Sequence, residues 1–280
     1  MKLKRYLQED KDEELNVHTN YRLLDEDECI DLIKSSYDVA FNSRKHIYRG
    51  VNNDANYMYV NPKLVTRRSA NTANYYTELL DSFESWKDYP KRSKSLICST
   101  SYYTANGYGR GNCYIVLPKN NTKLAVCPRD DLWWSFSKLK TIEPVVNLDM
   151  LNNALEYTIK TLFKYKKIRD KNIIHECKRI DKSYLIKYND KKLKEIDKYN
   201  LLTSLINSNY DNLYDYLNYM MDPKLNKFKL ISLEKFDNSS YLDREVWTDA
   251  ESLMINYRMI KYNAFDVIKD RLNNETKTIH

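Results

Sequence analysis

The chain reads as strand-forming in two separate places, with a long helical stretch between them, and this order constrains the fold more than any other feature. From about residue 148 to 222, Pro and Gly are nearly absent and apolar residues recur at helical spacing. Leu151, Leu155, Ile159 and Leu162 form one stripe; Leu201, Leu205, Leu213 and Leu217 form another. Before this stretch, "HIYRGV", "NYMYVNP", "SKSLICSTS", "GNCYIVLP" and "KLAVCP" read as strands, the last two as a hairpin-type pair turned through "KNNT". Two helices are expected among them. "LLDEDECIDLIKSSYDVAF" has Asp25 or Asp27 as cap, and "SANTANYYTELLDSFESW" has Ser69 or Asn71. After Pro223, "FKLISLEKF" and "SLMINY" return to strand character around a polar loop, "DNSSYLDREVW".

Strands that reappear at the end need partners from the first half. The expectation is one α+β domain, residues 1–147 and 223–280, interrupted by a mostly helical insertion, 148–222. A length of 280 residues with 42% hydrophobic and 30% charged residues suits such a globular chain. The start, "MKLKRYLQEDKDEEL", lacks the apolar region of a secretory signal, and no apolar run reaches membrane-span length. Five scattered cysteines without a CxxC read as reduced thiols, so a cytoplasmic location is expected and the sequons at Asn120 and Asn238 carry no meaning.

The formal net charge of +7 is concentrated. Residues 164–198 hold 13 Lys or Arg against 6 Asp or Glu, a local excess of 7, so the rest of the chain is near neutral. Interleaved tyrosines give this segment two readings, a solvated helical face or a polyanion contact in which cations meet phosphates and rings stack on unpaired bases.

Other motifs support less. "HEC" at 175–177 has no second ligand pair nearby, so no metal is expected. His18 and His46 lack the context of a nucleophilic triad. Trp133 and Trp134 read as packing residues. Neither a P-loop nor a Rossmann glycine motif is present.

Three short features fall in a telling order: Arg49 in "IYRG", Ser99-Thr100-Ser101 ending "SLICSTS", and Glu245 in "LDREVW" just before a strand. This order resembles the Arg/Ser-Thr-Ser/Glu signature of toxin-like ADP-ribosyltransferases, and the flanking text is similar to uncharacterised phage and bacterial members. The resemblance covers about residues 45–137 and 228–258. It implies a split β-sheet core that takes NAD+ as substrate, with no metal. It implies cleavage of the nicotinamide–ribose bond and transfer of ADP-ribose to a macromolecular acceptor.

Within that resemblance, Glu245 is the catalytic carboxylate. It would stabilise a ribosyl oxocarbenium ion and accept a hydrogen bond from the ribose 2′-hydroxyl. Arg49 offers a fixed fork to the pyrophosphate, and Gly50 lets the backbone approach the ligand. Ser99 would hold Glu245, Thr100 and Ser101 would support the wall of the site, and Tyr102 and Tyr103 follow where a ring could stack on nicotinamide. Asp243, two before the Glu, stands where the family contacts its acceptor. It is one methylene shorter than the Glu associated with arginine acceptors. The basic segment turns the expectation towards an RNA or DNA acceptor. Similar enzymes act as toxins held by antitoxins or as phage-encoded modifiers. A protein-modifying transferase, an NAD+ glycohydrolase and a non-catalytic nucleic-acid-binding module are the alternatives.

Overall fold

Antiparallel pairing governs the architecture. The computed structural model describes residues 21–43, 46–68, 73–109, 112–261 and 264–277. Among the described residues nine strands build one sheet: β1 (Tyr21–Leu24), β2 (Ile47–Gly50), β3 (Tyr57–Val60), β4 (Leu96–Ser99), β5 (Cys113–Pro118), β6 (Lys123–Val126), β7 (Lys229–Ser232), β8 (Glu245–Thr248) and β9 (Ser252–Asn256). Their order is β1-β3-β9-β5-β2-β4-β8-β6-β7. The protein is therefore α+β, and its first and last strands share a sheet.

The sheet changes character at the β2–β4 junction. β2 pairs with β5 over four residue pairs but with β4 through one, Tyr48↔Ser99. On the far side, β4 pairs with β8 over another four. The strands diverge where this single pair ends.

The helices are α1 (Glu26–Leu32), α2 (Asp38–Asn42), α3 (Tyr75–Ser82), α4 (Tyr102–Tyr108), α5 (Leu148–Phe163), α6 (Ile173–Arg179), α7 (Lys182–Leu185), α8 (Asp190–Ile196), α9 (Leu201–Ile206), α10 (Leu213–Met220), α11 (Tyr257–Lys261) and α12 (Ala264–Lys277). Asp25 caps α1 by accepting from the Glu28 amide at 2.8 Å. The expected caps Ser69 and Asn71, and also His18, lie outside the described residues. Cys29, Ile30, Ile33, Tyr37 and Phe41, from α1 through α2, join Ile47, Met58, Ile115, Leu117 and Ile255 in one hydrophobic core cluster.

Contacts divide the chain into two compact units. One gathers Arg67–Ser93 and Cys127–Lys229; the other holds the described residues before Arg67, Lys94–Val126 and those from Leu230 onward. These boundaries differ from the expected 147/148 and 222/223. Residues 73–93 and 127–147 pack with the helices because their aromatic side chains are completed there. Trp86 meets Phe228 at 5.0 Å and Phe136 at 6.1 Å between ring centroids, and its indole N–H donates to the Met221 carbonyl at 2.8 Å. Both expected helical stripes are buried in this unit.

Two local expectations fail. β5 and β6 are not a hairpin, because β5 is enclosed by β9 and β2 while β6 pairs with β8. An inner strand whose two edges are taken cannot also bond its sequence neighbour. The end of the expected polar loop is a strand in its own right: Glu245 opens β8. Glu251 precedes β9, and its carboxylate pairs with Lys119 at 2.9 Å. Among the described residues no helix is long and apolar enough to cross a membrane.

Candidate active site

The three hydroxyls that end β4 each have a distinct structural task. The Ser99 hydroxyl accepts from the Ser101 amide at 3.0 Å, turning the chain out of the strand. The Ser101 hydroxyl accepts from the Thr104 amide at 3.4 Å and caps α4. Thr100 reaches across to the distant segment before β8: its hydroxyl donates to the Tyr241 carbonyl at 2.6 Å and accepts from the Arg244 amide at 2.9 Å. Its own amide donates to the Arg244 carbonyl at 2.9 Å. One threonine thus fixes where β8 begins.

That fixation sets a register. Ser99 stands directly opposite Glu245, and Tyr48 stands opposite Ser99 from the other side. Directly opposed residues point to the same face of a sheet. Tyr48, Ser99 and Glu245 therefore form a row across β2, β4 and β8. A hydroxyl adjoins a carboxylate, although 146 positions separate them in sequence.

Tyrosine rings gather at one end of this row. Tyr48 lies 6.1 Å from Tyr102 and 6.0 Å from Tyr257, both edge-on, and Tyr102 lies 4.3 Å from Tyr257. Burial pushes the Tyr48 phenol above its usual pKa, with Tyr257 adding to the shift. Tyr102 is raised for the same leading reason. Tyr103 contacts Tyr102 at 5.6 Å and is 85% exposed, so it lies at the surface.

Arg49 is on the neighbouring strand, but alternation turns its side chain to the face opposite that of Tyr48, towards Cys98 and Tyr114. There Nη1 donates to the Ile97 carbonyl at 2.5 Å, spanning the point where β2 and β4 diverge. Nε donates to the Tyr21 hydroxyl at 3.2 Å. Burial opposes its charge, while Tyr21 and Cys98 hold the guanidinium pKa above the usual arginine value. Burial also pushes the Cys98 thiol up to about 12, so it is no nucleophile near neutral pH.

Gly50 permits a close approach, but to the protein itself. A Cβ there would meet the Ala105 carbonyl oxygen at 2.0 Å and the Gly109 amide nitrogen at 2.3 Å. Gly109 is confined in return, 2.7 Å from the Gly50 Cα by the same construction. This pair of glycines seats α4 on β2. The ligand approach expected of Gly50 is replaced by helix packing, because α4 occupies the space.

Asp243 is exposed and adopts a left-handed backbone with φ of 49°, which aspartate tolerates better than most residues. Its neighbour Leu242 is 69% exposed. Both are held beside the end of β4 by the Thr100 bonds on either side of them. The structure thus brings together Ser99, Thr100, Ser101, Tyr102, Asp243 and Glu245, and places Arg49 and Gly50 one strand over.

Sequence reasoning overlooked Tyr48 and Tyr257. Tyr48 had a signal, since it precedes Arg49 in a strand and must share the opposite face; Tyr257 had none before β9 was placed. The two tryptophans and "HEC" lie in the helical unit. Trp133 packs on Tyr76 at 5.1 Å, Trp134 is 46% exposed, and Glu176 and Cys177 are buried. Among the described residues no cluster of three or more His, Cys, Asp or Glu could hold a metal ion. Comparison of the chain with protein-family models, curated proteins and solved structures returns no match.

Proposed function

We propose that the protein is a mono-ADP-ribosyltransferase, with its NAD+ site at the β2–β4–β8 row. The observation that carries this reading is the direct opposition of Ser99 and Glu245 where the sheet diverges. In this reading the C1′–N bond of NAD+ breaks and its electron pair leaves with nicotinamide. Glu245 stabilises the positive ribosyl carbon and orients the 2′-hydroxyl, and Ser99 fixes the carboxylate. The acceptor nucleophile then attacks C1′ and loses its proton.

The Tyr48–Tyr102–Tyr257 group supplies flat surfaces for a ring of the dinucleotide. Arg49, turned to the opposite face and bonded to Ile97 and Tyr21, is read as bracing the β2–β4 junction rather than as holding the pyrophosphate. Asp243, exposed beside the row, contacts the acceptor. The concentrated positive charge of residues 164–198 favours a nucleic acid as that acceptor. A split sheet of the ADP-ribosyltransferase kind and control by an antitoxin-like partner belong to the same reading.

NAD+ carrying label on the adenylate half tests it. Label transferred to RNA or DNA supports the proposal, and label on protein moves the acceptor class. Free nicotinamide without a labelled macromolecule makes the protein a glycohydrolase. No release of nicotinamide under any condition overturns enzymatic use of NAD+. Glu245→Gln is expected to lower nicotinamide release by about 10²–10³-fold while NAD+ affinity and thermal unfolding stay near wild type. An unchanged rate in that variant would remove Glu245 from the chemistry.

A further inference from the structure

The helical unit carries a ladder of rings and cations that the proposed chemistry does not use. Tyr165, Phe163, Tyr184 and Tyr188 follow one another with centroids 5.7, 5.5 and 6.1 Å apart. Arg179 lies 4.0 Å over the Phe163 ring. Lys187 lies 3.4 Å over Tyr184 and 5.2 Å from the Tyr188 centroid. None of these four rings is fully buried, and Ile186 beside Lys187 is 82% exposed.

The charges around this ladder do not cancel locally. Five of the six acids in residues 164–198 are engaged by the protein itself. Asp170 bonds Arg68 at 2.6 Å, Glu176 bonds Arg179 at 2.9 Å, and Glu195 bonds Lys192 at 2.8 Å. Asp181 accepts from the Tyr184 amide at 2.6 Å, and Asp197 accepts from the Thr203 amide at 2.7 Å. Lys166, Lys167, Lys191 and Lys194 are exposed. Where acids cap helices and bridge the fold, the outward field is set by the lysines.

A plain polyanion surface needs only the lysines. Rings in a continuous chain of contacts, with cations over two of them, match a ligand that alternates phosphates with flat apolar groups. We infer that the Phe163–Tyr188 ladder binds single-stranded nucleic acid, with Lys187 turning from the ring towards a phosphate and Tyr184 and Tyr188 stacking on unpaired bases. This deepens the acceptor class of the proposed function but is measured without NAD+.

The probe is a fluorescein-labelled oligouridylate about 12 nucleotides long, within the known range of single-stranded sites, followed by anisotropy. A heparin fragment of similar charge serves as the base-free competitor. The full chain is expected to bind the oligonucleotide more tightly than heparin. Tyr188→Ala is expected to weaken oligonucleotide binding about tenfold, the size of one stacking contact, and leave heparin binding unchanged. Tyr188→Trp keeps a ring and is expected to bind as wild type, with emission quenched by the oligonucleotide and not by heparin.

Equal affinity for the two probes, or an unchanged oligonucleotide Kd in a folded Tyr188→Ala, overturns the inference in favour of a simple cationic surface. Absence of binding at low salt overturns it outright. Nicotinamide release by Tyr188→Ala is read separately and reports only on the proposed enzyme.

Discussion

At the scale of single residues, the decisive feature is how few atoms the fold tolerates at Gly50. Its missing side chain is what allows the α4 backbone to lie on β2. Gly50→Ala would drive a methyl into the Ala105 carbonyl and the Gly109 amide, both backbone atoms that no rotamer change can move aside. The expected cost is about 3 kcal/mol or more, visible as a lowered midpoint in urea unfolding. A midpoint within error of wild type would mean that α4 does not sit on β2 in this way. For Glu245 the proposed chemistry gives the opposite expectation, a loss of turnover in Glu245→Gln with little change in the unfolding midpoint.

At the scale of elements, Thr100 decides whether β8 begins at the right place. Its hydroxyl and amide hold both Tyr241 and Arg244, and so fix the segment that carries Leu242 and Asp243. Thr100→Val keeps the branched shape but removes the hydroxyl, leaving a carbonyl and an amide to find other partners. Such a loss costs about 1–3 kcal/mol. Nicotinamide release is expected to fall at least tenfold, with NAD+ affinity held within twofold, as measured by initial rates beside a direct binding titration. An unaltered rate would show that the start of β8 needs no such tie. The crossing from β5 to β6 belongs to this scale too. A turn-rich "KNNT" cannot make a hairpin when both edges of β5 are already paired.

At the scale of the whole molecule, two compact units are threaded by a chain that passes from one to the other more than once. The helical unit is not a single excisable segment. A chain lacking 148–222 would lose Tyr214 from the Ser82 carbonyl, Asn218 from Ser85 and Met221 from Trp86. Residues 73–93 and 127–147 of that chain are expected to become sites of rapid cleavage in limited proteolysis, while strands β2, β5 and β9 stay protected. Protection of both segments would show that they hold together without the helices. The net charge follows the same division, because the local excess in residues 164–198 accounts for all of it.

The α+β class, the buried helical stripes and most strands were legible from sequence because each rests on local periodicity. The Arg49, Ser-Thr-Ser and Glu245 motifs were legible as an order along the chain. Which side chains share a face was not, because that depends on register across strands as much as 146 positions apart. Register placed Tyr48 beside Ser99 and Glu245 and turned Arg49 the other way. The use of Gly50 for helix packing, and the reach of the helical unit into residues 67–93 and 127–147, depended likewise on long-range contacts. Composition and spacing fix what each segment can form alone; only closure of the sheet and its cores decides which segments must meet.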